Sequence, residues 1–268
     1  MSRVGRTALL LVLVFGACTS APPTASELRA EGPPRVQRHL VLRHAEQFDE
    51  DLERRPAGSQ QEEAAAAYIL GHLQRAGYVA RLEAVPVADT VNSTDVIAVP
   101  PSGTAPTRVV AVPYDTTREA SDDGTAIGLF LELGRALKAV APRHDVEFVA
   151  LGAERTPLQQ GHLGARRLAK LLLDEGADPQ VITIESVGGP SRGSFGAFGD
   201  DVAGVVEVAR HLHIPILASP APGPGAGRDL TGRAEVFVGA GFDHVAVTGG
   251  IEQVGRVLLR YLSSMRER

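Results

Sequence analysis

The chain has 268 residues and a formal net charge of -5, and its 27 basic residues form no cluster. That balance excludes a surface built for nucleic acid or another polyanion. A single cysteine, Cys18, excludes an internal disulfide, and a chain with no Trp and few aromatics must build its core from Val, Leu, Ile and Ala.

The first residues read as an export leader. Arg3 and Arg6 form a positive start, Ala8 to Phe15 an apolar run, and Gly16-Ala17 a small-residue site. The apolar run is too short to span a bilayer as a helix. Small residues directly before Cys18 resemble the bacterial lipobox, which implies cleavage before Cys18 and its lipidation; the alternative is a plain signal peptide with an incidental cysteine. Residues 18–35 are rich in Ala, Pro, Ser and Thr and read as a flexible tether. The expected organisation is therefore a lipoprotein-type signal peptide over 1–17, a tether over 18–35 and one folded domain over 36–268. About 240 residues suffice for one sizeable core. The expected location is the bacterial cell envelope, periplasmic or on the outer membrane, anchored through Cys18. Thr19, which is not acidic, leans toward the outer membrane.

The folded part opens with apolar residues at helical spacing (Val36, Leu40, Phe48, Leu52), which predict a helix over 36–54. Arg55-Pro56-Ala57-Gly58 breaks it. Ser59 is an N-cap with Glu62 three residues later, a capping box for a helix over 60–76 that stops at Gly77. Strands are predicted over 79–87, 94–99 and 108–112, a helix over 124–140, a strand over 146–151, a loop over 154–161, a helix to Asp174 and a strand over 180–185. The last third reads as a strand or loop, a helix over 201–211, a short strand near 214–218, a helix over 232–240, a strand over 243–247 and a helix over 251–265. Strands alternating with helices predict a three-layer α/β sandwich on a central, mixed but largely parallel sheet. Ligands in such sheets bind beyond the carboxyl ends of the strands, so the residues there carry the function.

Those ends are acidic. The strand at 108–112 runs into Pro113-Tyr114-Asp115 and then Asp122-Asp123-Gly124; the strand at 146–151 runs into Gly152-Ala153-Glu154-Arg155; the strand at 180–184 runs into Glu185. Converging carboxylates repel unless a cation sits among them, and a hydrolytic metal centre is one answer. His162 follows Glu154 as a substitute ligand or as a residue lining the next helix, and His244 reads as structural. Ser59 and Ser186 have no His/Asp partner order, and the run Gly223–Gly227 follows prolines rather than a strand, so neither a serine hydrolase nor a phosphate loop is expected.

The order Arg-Pro-Ala-Gly-Ser, helix, Ala-Gly-Tyr, strand, Tyr-Asp, Asp-Asp-Gly, helix, Gly-Ala-Glu resembles the zinc aminopeptidases of peptidase family M twenty-eight, which also contains glutaminyl cyclases and glutamate carboxypeptidases. The stretch Glu154 to Ala169, with Gly164, resembles that family's loop after the catalytic glutamate, and the resemblance runs from Arg55 to the last helix. It implies two zinc ions and a glutamate base. By that resemblance Glu154 is the base, Asp115 the supporting aspartate, Asp122 the bridging ligand and Glu185 a further metal ligand. Other positions depart from the pattern. Pro113 stands where the first zinc histidine would be, and Arg155 where a carboxylate ligand would be. A Ser-Asp-His segment falls on Gly232-Arg233-Ala234, and the loop carrying a second histidine is absent after Thr248-Gly249-Gly250.

Proline and arginine cannot ligate zinc, so Asp122 and Glu185 alone hold it poorly and no cofactor is expected, beyond at most one weak zinc. Arg155 either places its guanidinium where a zinc would sit and pairs with Asp122 or Glu185, or points to solvent and leaves the carboxylates hydrated. Two functions follow. One is a non-catalytic scaffold for a peptide or an envelope protein, as the transferrin receptor ectodomain is an inactive member of this fold. The other is an altered single-metal peptidase or amidohydrolase with Glu154 as base.

Overall fold

A computed structural model of the chain describes residues 34–117, 124–158, 161–188, 193–219 and 228–264. Its strands are β1 (Ala80–Ala88), β2 (Val91–Ala98), β3 (Arg108–Pro113), β4 (Val146–Leu151), β5 (Gln180–Val187), β6 (Phe195–Gly199), β7 (Ile216–Ser219) and β8 (His244–Gly249). They form one sheet in the order β1-β2-β4-β3-β5-β8-β6-β7. The centre, β4-β3-β5-β8, is parallel, while β1, β2 and β6 join antiparallel and β7 pairs parallel with β6. The sheet is mixed and its core is parallel, as the sequence predicts.

Because successive side chains of a strand face opposite ways, the central strands feed two cores at once. Val110, Val112, Phe148, Ala150, Ile182, Ile184, Val245 and Val247 pack under α1 (Arg38–Glu50), α2 (Gln60–Arg75), α3 (Thr125–Val140), α5 (Ala203–His211) and α7 (Ile251–Ser263). Val109, Ala111, Val149, Leu151 and Val181 face the other way. They pack against Ala165, Leu168 and Leu172 of α4 (Leu163–Asp174) and Phe237 of α6 (Arg228–Gly239). Three layers result. Each buried Val, Leu or Ile contributes roughly 1.5–3 kcal/mol, so the aliphatic strands supply what the missing tryptophans do not.

Several boundaries differ from the sequence expectation for physical reasons. β2 starts at Val91, three residues early, because it closes a hairpin with β1. The stretch read as strand or loop is β6, short and glycine-rich, held antiparallel to β8. The N-cap at Ser59 is made as expected, its hydroxyl accepting from Glu62 N at 3.1 Å. The reciprocal half of the capping box is not. The Glu62 carboxylate turns inward, accepting from Gly58 N at 2.5 Å and from the Ser93 hydroxyl, because β2 offers it a buried donor.

No described helix is long and apolar enough to cross a membrane. Residues 1–17 and the tether to residue 33, with Cys18, lie outside the described residues, as do Asp122 and the run Gly223–Gly227.

Candidate functional site

The site lies at the carboxyl ends of β3, β4 and β5, and its geometry starts from the turn after β4. Gly152 sits where a side chain would strike Ser93 and the Thr94 carbonyl, and Ala153 takes the left-handed φ of 51° that few non-glycine residues adopt. Three backbone bonds then clamp the far side of the loop onto this turn: His162 N to Glu154 O at 3.0 Å, Leu163 N to Ala153 O at 3.2 Å and Gly164 N to Gly152 O at 3.1 Å. The clamp delivers the start of α4 to the Glu154 side chain. Glu154 Oε1 accepts from Ala165 N at 2.7 Å, in the first turn of α4, whose own N-cap residue His162 makes no side-chain cap bond. Glu154 therefore caps α4, and the helix dipole favours its negative charge.

The other oxygen of Glu154 meets a cation. Arg233, one turn before Phe237 on α6, is fully buried, and its Nη1 donates to Glu154 Oε2 at 2.5 Å. The same guanidinium forks onto Glu185 at the end of β5, Nε to Oε1 at 3.0 Å and Nη2 to Oε2 at 2.7 Å. One arginine thus bridges two buried carboxylates with charge-assisted bonds, one of them bidentate. Burial is the largest influence and opposes ionisation of both glutamates, but the Arg233 charge and the hydrogen bonds to each carboxylate together outweigh it, so both are held below the usual carboxylate range. Burial works against the Arg233 charge, and the two flanking glutamates outweigh it, so its pKa is raised above the ordinary arginine value.

Smaller contacts complete the centre. His162 Nδ1 lies 3.3 Å from Glu154 Oε2, and the ring fills the space over Gly232, where any side chain would collide with it. His162 therefore lines the site rather than capping α4. His244 is fully buried, stacked on Phe237 with ring centroids 5.7 Å apart, and its Nε2 lies 3.1 Å from Thr183 Oγ1. Burial lowers its pKa to about 4, so the ring is neutral. Thr183 in turn supports Glu185 through a side-chain hydrogen bond. We assign the Thr183 hydroxyl as donor to Glu185 and acceptor from His244 Nε2–H, which leaves His244 Nδ1 as a bare acceptor with no partner among the described residues.

The remaining acids of this edge solve their burial differently. Asp115 is fully buried, and its Oδ2 accepts from Arg155 N at 2.8 Å while its backbone carbonyl accepts from Arg155 Nη1 at 2.6 Å. Asp95 Oδ1 accepts from Gly152 N at 2.8 Å. Asp115 Oδ1 and Asp95 Oδ2 have no partner among the described residues. Burial pushes the Asp115 carboxyl up to about 7, pushes Asp95 well above its ordinary value, and raises Glu62 as well.

This arrangement bears on the Glu185 half of the sequence expectation about Arg155. Both oxygens of Glu185 are taken by Arg233, and Arg155 instead wraps Asp115, its neighbour across the β3 and β4 ends. Its expected pairing with Asp122 lies outside the described residues. Pro113 closes β3 opposite Leu151 of β4, at a strand end where a missing N–H is tolerated. The sequence marks Arg233 only by its place in Gly232-Arg233-Ala234, where the family resemblance would put a Ser-Asp-His segment. The available signal was its i, i+4 spacing from Phe237, which places both on the buried face of one helix.

Among the described residues no group of three or more His, Cys, Asp or Glu side chains could hold a metal ion. The donor chemistry agrees. Each oxygen of Glu154 and Glu185 already accepts a hydrogen bond, and a permanent cation stands between them. A zinc ion does not fit at this pair.

Comparison with solved structures places the fold. A Zn-dependent exopeptidase from Parabacteroides distasonis aligns with a TM-score of 0.66 at 15% identity, over 87% of this chain and 99% of that one. A glutaminyl cyclase from Tannerella forsythia aligns with a TM-score of 0.66 at 16% identity, over 87% and 100%. A leucine aminopeptidase precursor from Bacteroides thetaiotaomicron aligns with a TM-score of 0.63 at 14% identity, over 88% and 99%. The chain has the zinc-exopeptidase fold. No protein-family model and no curated protein matches the sequence. A groove of about 420 Å³ opens at the same carboxyl edge of this exopeptidase-type sheet, lined by Arg38, Leu42, Thr125, Gly188, Gly250 and Ile251.

Proposed function

We propose that this protein is a degenerate relative of the zinc aminopeptidases of peptidase family M twenty-eight, exported and lipid-anchored at Cys18, that binds a peptide or an envelope protein without hydrolysing it. One observation carries the reading: the Arg233 guanidinium bonds one oxygen of Glu154 and both oxygens of Glu185, the positions that the family resemblance gives to base and ligand. A general base needs a free lone pair aimed at water and a pKa near the working pH. Glu154 has both oxygens occupied and a pKa below its ordinary value, so it is a poor base as well as a committed cap. The groove beside α1 and α7 has the size of a small-ligand site and leaves room for a binding role. The leader and tether supply the expected anchor, as read from residues 1–35.

The test is zinc content of the purified protein after incubation with excess zinc and desalting, together with an aminopeptidase substrate screen. The expected result is no retained zinc and no hydrolysis. About one equivalent of zinc, lost in Asp122→Ala, would overturn the reading and restore the single-metal hydrolase. Metabolic labelling with a fatty-acid analogue, expected in the wild type and absent in Cys18→Ser, tests the anchor.

A further inference from the structure

We propose that the free edge of β1 is a self-complementary interface on which a second copy of this chain adds, antiparallel, about a two-fold axis at Leu82. β1 is the terminal strand of the sheet, nine residues long, and among the described residues no strand pairs with its outer side. Edge strands expose a row of unpaired N–H and C=O groups and are usually blunted or covered. This one carries an exposed leucine, Leu82, 50% accessible, and Val79 just before the strand is 76% accessible.

The register follows from which residues point outward. Val79 O accepts from Val99 N at 3.0 Å, so the odd-numbered residues of β1 turn their hydrogen-bonding groups toward β2, in step with the pairing Arg81↔Ile97 and Glu83↔Asp95. The even-numbered residues therefore offer their N–H and C=O outward. They are Ala80, Leu82 and Ala84, followed by Pro86, which has no N–H and ends the ladder where the β1–β2 register also shifts.

An antiparallel copy centred on Leu82 satisfies all three. Leu82 pairs with Leu82 of the second copy, and Ala80 with Ala84, each as a hydrogen-bonded pair. The intervening non-hydrogen-bonded positions then set Arg81 opposite Glu83 of the second copy, twice, where cross-strand side chains come closest. A single register thus matches hydrogen bonds, the exposed leucine and two opposite charges. Glu83 already accepts from Arg167 Nε at 3.0 Å, which holds its carboxylate in place on that face. An unrelated extended peptide would meet the same backbone edge, but not the reciprocal Arg81–Glu83 match that a second copy brings.

The experiment is sedimentation equilibrium of the purified wild type, Leu82→Lys, Arg81→Glu, and the double swap Arg81→Glu/Glu83→Arg, each checked for native circular dichroism. The wild type is expected as a dimer at micromolar concentration. Leu82→Lys and Arg81→Glu should weaken it by at least about tenfold, and the double swap should restore association relative to Arg81→Glu. A wild type that stays monomeric, forms larger assemblies, or keeps its dimer unchanged in folded Leu82→Lys would overturn the proposal. If the double swap fails to fold, a folded Arg81→Glu that associates as tightly as the wild type overturns it equally.

Discussion

Two sets of carboxylates are buried at one edge of the sheet, and they titrate in opposite directions. Glu154 and Glu185 meet a guanidinium and are held below their ordinary pKa; Asp95, Asp115 and Glu62 meet backbone amides and a hydroxyl and are pushed above it. Burial is the largest influence on all five, so desolvation does not separate them. The separating factor is a full positive charge in hydrogen-bond contact. Amide donors soften the cost of burial, whereas Arg233 reverses it. The pair with the cation also joins more of the molecule, because Glu154 caps α4 while Arg233 ties α6 to β5 through Glu185. In this chain an arginine performs the charge balance for which the sequence pattern first suggested a metal.

Removing that charge should produce the largest effect. Arg233→Ala leaves two buried carboxylates facing one another and should lower unfolding stability by roughly 3–5 kcal/mol, read by urea denaturation at pH 7. Arg233→Lys keeps the charge but loses the fork and should recover only part of the loss. Adding Glu154→Gln and Glu185→Gln to Arg233→Ala should recover much of it, since no ion is then left unpaired. A triple variant no more stable than Arg233→Ala would show that packing, not charge, dominates the centre.

The amide-bound set should show itself through pH. The Asp115 pKa is about 7 in the folded protein against an ordinary 3.8, so between those values the folded state holds a proton that the unfolded state has released. Stability from this group is complete below about pH 4 and falls as pH rises toward 7, by up to about 1.4 kcal/mol per unit. Glu147, raised from 4.5 to about 7 by burial and then by Glu175, adds a slope of the same sign. Glu154 and Glu185 act oppositely: their contribution is present above 4.5 and is lost as pH falls through their lowered values. Asp115→Asn should flatten the decline between about pH 4 and 7 and raise stability at pH 8, with the Asn amide replacing the unpartnered Oδ1. An unchanged pH profile would remove Asp115 from the account.

The order of strands and helices was legible because each central strand is a short aliphatic run and most helices carry apolar residues at helical spacing, and the positions of Glu154 and Glu185 follow from ligand-bearing strand ends. Arg233 was not legible as their partner. It lies 48 residues beyond Glu185 in the chain, and local periodicity reports which face of α6 is buried but not what that face will meet. Arg155, adjacent to Glu154, was the nearer candidate, yet it turns to Asp115 instead. Glu62 shows the same limit on a smaller scale: its spacing from Ser59 announces a capping box, and only the folded β2 reveals the buried Ser93 hydroxyl that takes the carboxylate instead.

A variant at Gly232 separates shape from charge. Gly232 precedes Arg233, and a methyl there would collide with the His162 ring that closes the centre. Gly232→Ala should cost roughly 1–3 kcal/mol, less than Arg233→Ala, while leaving the pH profile unchanged. The thermal midpoint at two pH values reads both. A loss as large as that of Arg233→Ala would mean that the seating of α6, not its arginine, governs the site.

The smallest expected effect completes the contrast. Lys170 Nζ lies 2.7 Å from Asp174 Oδ2 on the outer face of α4, the same length as the Arg233 Nη2 to Glu185 Oε2 bond. The exposed pair has side chains 63% and 58% accessible, the buried pair 0% and 9%. Water screens the exposed charges and solvates each partner when the other is removed, so Lys170→Ala should change stability by no more than about 0.5 kcal/mol, and less at high salt. Nothing in the bond length distinguishes the two pairs. The difference arises from what each carboxylate has left when its cation goes: water for Asp174, and only Thr183 and the buried faces of α6 and β5 for Glu185.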